Sequence, residues 1–250
     1  MRVFCASTAQ GLRGARQSRV GLDFTHGWAS TSGVERLESP EQARARMVER
    51  QLVLRGIADP RVLQAFRDVP REHFVGSAQQ GVAYDDEPLP IGYGQTISQP
   101  YIVALTCEAL QLQGTERVLE IGGGSGYAAA ILAQISREVF CVERLPELAE
   151  AASQRLQALG YHSVRVRCGD GTLGWPEHAP YDAIAVAAGG PTVPQALIEQ
   201  LRVGGRLVIP VGADEGAQVL TRITRVGTSE LRREQLAAVR FVPLIGAQGW

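Results

Sequence analysis

Apolar positions recur along this chain in two rhythms, and the change falls near residue 113. From Glu41 to Arg55, Met47, Leu52 and Leu54 stand among arginines and acids at helical spacing. Asp59 then offers an N-cap and Pro60 the favoured first helical position. Val62, Leu63 and Phe66 give this second helix its apolar stripe, and Pro70 ends it. Segment 70–98 has no period and is rich in proline, glycine and acids, which predicts a functional loop or lid. Residues 99–112 read as helix again.

Beyond that point short apolar runs predict strands at 117–121, 138–143, 163–168, 181–187 and 206–211. Helix-compatible stretches lie between them at 126–136, 146–159 and 193–202. Such alternation implies an α/β fold with a mostly parallel sheet and helices on both faces. Val219–Val226 and Val239–Leu244 follow each other without a full crossover helix, which predicts an antiparallel pair at the sheet edge. No internal repeat is evident.

Residues 1–38 stand apart. Four arginines precede the first acid, Asp23, and Ser, Thr, Gly and Ala dominate without apolar periodicity. A disordered tail, or the product of a start codon placed upstream of Met47, is expected; an Arg- and Ser-rich leader is the alternative. Residues 39–250 are then a single domain, with 39–113 as its helical and loop cap.

Composition excludes several classes. A net charge of −1 gives no general attraction to nucleic acid or to an anionic membrane. No apolar run approaches the roughly 20 residues of a membrane helix. A cytoplasmic monomer is expected. The histidines and the four cysteines, Cys5, Cys107, Cys141 and Cys168, are scattered without metal-ligand spacing, so no metal is expected. Cys107, Cys141 and Cys168 read as buried reduced thiols. All 25 basic residues are arginine, which excludes a Schiff-base or P-loop lysine.

The candidate chemistry gathers at the predicted strand tips, where open α/β sheets bind ligands. Arg117–Ile121 closes on Glu120 and opens into Gly122, Gly124 and Gly126 before an alanine-rich helix. Tyr127 occupies the position where a dinucleotide fingerprint needs its last glycine, leaving acid-x-Gly-x-Gly-x-Gly. A plain tight turn is the bland alternative. Glu143 ends the second strand seventeen residues past Gly126, where a carboxylate can accept from both hydroxyls of a ribose; a solvated acid beside Arg144 is the alternative. Asp170, followed by Gly171, ends the third strand and could accept from an adenine amino group, or simply make a turn. Glu120 would be costly if buried without a cation, so an ammonium or sulfonium partner explains it; a backbone or arginine contact is the alternative.

The second informative segment is Gly94-Gln95-Thr96-Ile97-Ser98-Gln99-Pro100. Ser98 has the context of a helix N-cap, with Pro100 in the first turn. The functional reading is that the Thr96 and Ser98 hydroxyls, with helix-end N–H groups, bind a carboxylate at the reacting centre.

With these segments in view, the chain resembles the bacterial protein-L-isoaspartate O-methyltransferases. The resemblance is carried by Val69–Val75, Leu89–Gly92, Gly94–Pro100, Val118–Tyr127, Gly169–Gly171, Ala179–Ile184, Gly204–Gly212 and Val239–Leu244, and covers about residues 41–245. It implies a Rossmann-like methyltransferase fold with S-adenosylmethionine as methyl donor. The implied acceptor is the free carboxylate of L-isoaspartyl residues in damaged proteins and peptides, which starts their repair. By the same resemblance Ser98 is the active-site serine, and Ile97, Ser98, Glu120, Gly122, Gly124, Gly126, Glu143, Asp170 and Gly171 contact the donor. Position 123 departs from the pattern, being glycine where the family usually has threonine or serine. A methyltransferase of another small or protein acceptor, or a non-catalytic S-adenosylmethionine-binding protein, is the rival reading.

Overall fold

Ser39 caps the first described element of the computed structural model, which describes residues 38–214 and 216–250. The expectations for residues 1–37, including Cys5, lie outside the described residues. Ser39 and Gln42 form a reciprocal capping box at the start of α1 (Pro40–Met47), with the Gln42 N–H donating to Ser39 Oγ at 3.3 Å. The coil continues through a π turn and a 3₁₀ turn to Gly56, whose φ of 93° ends it. α2 (Pro60–Asp68) begins as expected, Asp59 accepting from the Arg61 N–H at 2.8 Å.

The segment expected to be irregular holds two 3₁₀ turns and a small antiparallel hairpin, β1 (Leu89–Gly92) and β2 (Gln95–Ile97). Its tip runs through left-handed backbone at Gly92, Tyr93 and Gly94 (φ 91°, 53° and 70°). Strands of three and four residues containing a proline leave too little alternation to be read. α3 (Pro100–Leu110) follows.

Then come β3 (Arg117–Ile121), α4 (Tyr127–Ile135), β4 (Glu138–Glu143), α5 (Pro146–Ala158), β5 (Val164–Cys168), β6 (Tyr181–Val186), α6 (Gln195–Gln200), β7 (Leu201–Asp214), β8 (Ala217–Arg225) and β9 (Leu231–Val239). The strands form one sheet in the order β5-β4-β3-β6-β7-β8-β9, parallel from β5 to β7 and antiparallel through β8 and β9. The chain leaves β3 toward β4 and β5, then returns to β6 on its other side. The switch point therefore lies between β3 and β6, where such sheets bind ligands.

Alternation along the buried strands divides the core into two layers. Val118, Val139 and Ala185 pack with α1–α4, whereas Leu119, Ile121, Phe140 and Val142 pack on the opposite face with α6. Glu120 and Cys141 share the Val118 side of the sheet.

Three expectations need correction. The last strand is Leu231–Val239, not Val239–Leu244. It is a charged edge strand, with Arg222 of β8 paired to Glu234 at 2.9 Å, so its apolar signal is weak. The apolar Phe241–Leu244 instead leaves the sheet and lies along the β6 exit, the Leu244 N–H donating to the Gly189 carbonyl at 2.7 Å. β7 starts at Leu201 rather than near 206, because Leu201 pairs with Tyr181 before an irregularity restores register at Ala183 and Arg206. Finally, Cys107 and Cys141 are buried thiols, but Cys168 is exposed at the end of β5.

Candidate active site

At the carboxyl edge of β3, β4 and β6 a cavity of ≈ 200 Å³ is walled by the glycine turn, Glu120, Glu143, Gly171, Thr96, Ile97 and Ser98. The turn is built by conformations that side chains resist: Gly122, Gly124 and Gly126 have φ of 85°, 52° and 87°. Gly122 and Gly124 border the cavity. Gly126 does not; it is the N-cap of α4, where a Cβ would lie 3.1 Å from Leu156 Cδ1.

Glu143 is 7% exposed, and its two oxygens accept from the Gly124 and Leu145 N–H groups, each at 2.8 Å. It is therefore not the solvated acid of the bland reading; it staples the first turn to the second. A carboxylate accepts about four hydrogen bonds, so both oxygens retain capacity toward the cavity.

Glu120 is 1% exposed and neither carboxylate oxygen has a hydrogen-bond partner. Neither a backbone nor an arginine contact accounts for it. Burial pushes its pKa up to about 8, the Cys141 thiol draws it down and the Glu143 charge adds to the rise. Among the described residues no cation pairs with it, and a buried acid without such a partner is costly unless it is protonated.

Asp170 lies just beyond β5, which ends at Cys168, and caps a 3₁₀ turn; its carboxylate is already engaged. One oxygen accepts from the Thr172 N–H (2.8 Å) and hydroxyl (2.6 Å), and the other from the Ala247 N–H (2.8 Å). These contacts hold its pKa below the usual carboxylate range despite the opposing effect of burial. Gly171 borders the cavity, and a Cβ there would lie 2.4 Å from Ile121 Cγ2.

The end of β2 and the residue after it bring Thr96 and Ser98 to the rim, with Ile97 buried between them. Ser98 is not the cap of α3. That position is Gln99, which makes no side-chain capping bond, and its amide instead donates to the Asp86 carbonyl at 2.8 Å. The Ser98 hydroxyl is thus free of the structural duty that would have explained it. A smaller apolar annex, also walled by Ser98 and Glu120, extends between α3 and α4 toward Cys107 and Leu132.

Sequence reasoning missed the wall formed by Val242, Pro243, Leu244 and Ile245. Their apolar run read as an edge strand, and nothing local distinguishes a strand from a strap over a cavity. Leu145 and Ala187, whose backbones follow strand tips, also border the site; their position was the available signal.

A doubly wound sheet with a glycine turn at β3 and an acid closing β4 defines the class: a nucleoside-binding α/β protein of the methyltransferase fold. The sequence profile described as protein-L-isoaspartate(D-aspartate) O-methyltransferase matches residues 42–249, and the chain belongs to that family. It is 63% identical over 207 residues to protein-L-isoaspartate O-methyltransferase 1 of Rhodopseudomonas palustris strain HaA2, covering 83% of this chain and 84% of the relative. It is 60% identical over 214 residues to protein-L-isoaspartate O-methyltransferase 2 of Pelobacter propionicus, covering 86% and 95%. Among solved structures, one protein-L-isoaspartate O-methyltransferase superposes with a TM-score of 0.76 at 32% identity, covering 82% of this chain and 67% of the other. Another, described as a Plasmodium falciparum protein of this kind in complex with S-adenosyl-L-homocysteine, gives 0.70 at 25% identity, covering 81% and 98%.

Proposed function

We propose that residues 39–250 form the catalytic unit of a cytoplasmic, monomeric enzyme that methylates the free carboxylate of L-isoaspartyl residues in damaged proteins and peptides, initiating their repair to L-aspartyl. The single observation behind the reading is the buried, unpartnered Glu120 facing the same cavity as the uncommitted Ser98 hydroxyl. The residues present fit S-adenosylmethionine. Glu120 would face its cationic end, Gly122 and Gly124 would let it approach the main chain, and Glu143 would accept from its ribose. Gly171 and Ile97 would flank the base, with Asp170 and Gly126 acting from behind by fixing the third-strand turn and the start of α4. When bound, that donor supplies an electrophilic methyl group.

The protein's own task is alignment. An unperturbed carboxyl has a pKa of about 4, so the acceptor is already a nucleophile at neutral pH and no general base is needed. Ser98 and Thr96 orient it by hydrogen bonds, and the Val242–Ile245 strap excludes water; positioning of this kind can supply several kcal/mol. Recognition through the acceptor's carboxylate and backbone suits damage sites of varied sequence. The expected result with an isoaspartyl peptide is base-labile methyl incorporation that is absent with its aspartyl isomer. Transfer to neither peptide, or to both equally, would move the assignment to another acceptor or to a binding protein without transfer.

Glu120 also gives the site a pH signature. Its folded pKa, about 8, lies above the ordinary 4.5. The stability it contributes to the free protein is therefore complete below about pH 4.5 and is lost as pH rises through about 8. A cationic donor selects the ionised form, so binding near pH 7 should release a proton and tighten toward pH 9. Calorimetry in buffers of different ionisation heat reads this directly. Glu120→Gln should abolish the proton release, and a wild-type protein that releases none would refute the assignment of the cation to Glu120.

A further inference from the structure

Cys141 stands directly beside Glu120, and neither the fold nor the reaction has yet used its thiol. The two stand at paired positions of adjacent parallel strands, with side chains on the same face. β6 offers only Ala185 at the paired position on the other side. Of the remaining groups around Glu120, β4 adds Glu143, α3 adds the buried Cys107 thiol, and α4 lines the cavity with Tyr127 and Ala128. Both carboxylates carry like charge and both thiols are buried, so Cys141 is the neighbour placed to favour the ionised acid.

The glycine turn supplies the second observation. Gly123 has no need of glycine for its backbone angles, in contrast to the three alternating glycines around it. What excludes a side chain there is the Cys141 sulfur: a Cβ at position 123 would lie 2.3 Å from Sγ and 3.7 Å from Glu143 Cβ. The sulfur therefore fills the space between the turn and the two carboxylates of the cavity. Sequence alone makes Gly123 look like added slack in the turn; the packing makes it the complement of Cys141.

We propose that Cys141 is a positioning residue for the methyl donor: its thiol, seated where a residue-123 side chain would otherwise lie, sets the spacing between the glycine turn and Glu120 and holds that carboxylate toward the donor's cationic end. The inference rests on reading the cavity as the donor site. It makes Gly123 and Cys141 one unit whose members cannot be exchanged singly.

The test is calorimetric titration of S-adenosylhomocysteine and S-adenosylmethionine into the full chain across pH, with thermal unfolding of each variant. Gly123→Ser alone should weaken binding roughly tenfold or more, because overpacking against sulfur must displace the turn. Combining it with Cys141→Ala should recover most of that loss. Cys141→Ala alone should shift the pH midpoint of S-adenosylmethionine binding upward, whereas Cys141→Ser, which keeps a donor, should not. Additive losses in the double variant, or an unshifted midpoint in Cys141→Ala, would overturn the inference and leave the sulfur as filler. Wild-type protein that binds neither compound would instead overturn the reading of the cavity itself, so the two failures are distinguishable.

Discussion

Glu143→Ala should weaken donor binding by about a hundredfold, equivalent to about 2–3 kcal/mol. The substitution removes the acceptor for two backbone N–H groups, those of Gly124 and Leu145, each held at 2.8 Å in the folded protein. It also removes the charge proposed to receive the ribose hydroxyls, and hydrogen bonds to a charged partner are worth about 1.5–3 kcal/mol each. Because the two N–H groups lose their partner even without donor, unfolding midpoints of the free protein should fall as well. Glu143→Gln retains one acceptor oxygen and should lie between wild type and alanine in both measurements. Calorimetric titration beside thermal unfolding separates the two contributions. Alanine protein with undiminished affinity would show that Glu143 serves only to join the turns.

Ser98→Ala is expected to act on turnover alone. The rate of transfer to an isoaspartyl peptide should drop on the order of a hundredfold, the scale associated with misplacing a reacting group by about 1 Å. Donor affinity should change by less than about twofold and stability by no more than about 0.5 kcal/mol, as for a substitution that disturbs no structural bond. That separation follows from the helix start: Gln99, not Ser98, occupies the N-cap of α3, so losing the hydroxyl removes no cap. Steady-state kinetics with saturating donor, read against acceptor concentration, checks it. Full turnover in the alanine variant would mean that the acceptor carboxylate is held elsewhere, with Thr96 the next rim hydroxyl to examine.

What was legible before the structure has physical limits visible in particular elements. β3 and β4 were read to the residue because a buried parallel strand is a largely apolar run with a plain stop, the glycine turn after Ile121 in β3 and Glu143 in β4. α2 was equally plain, since Asp59 and Pro60 are local signals for a local event. β9 was not, because an edge strand facing solvent carries Arg232, Arg233 and Glu234 in place of an alternating apolar face. The strap that follows was misread for the complementary reason: its apolar residues serve a cavity wall rather than a sheet.

The site divides along the same line. Glu120, Gly122, Gly124, Glu143 and Gly171 could be placed at strand tips from spacing, and the structure brings them to one cavity with Thr96, Ile97 and Ser98. The partners of each acid depend on which turns meet in space, and spacing does not encode that. Thus the binding of Glu143 to two turns, the engagement of Asp170 with Ala247 and the lack of a cation paired with Glu120 emerged only from the fold. Gly123 is the sharpest case: its reason is a sulfur eighteen residues away, on the neighbouring strand.

The central claim is that one cavity at the β3, β4 and β6 tips holds the donor with its reacting end toward Ser98. A crystal structure with S-adenosylhomocysteine tests it most directly. The prediction is ribose hydroxyls on Glu143, the base beside Gly171, the amino acid portion along Gly122–Gly124 near Glu120, and the sulfur facing the Ser98 hydroxyl. Density for the compound outside this cavity, or inside it with the sulfur turned away from Ser98, would contradict the account.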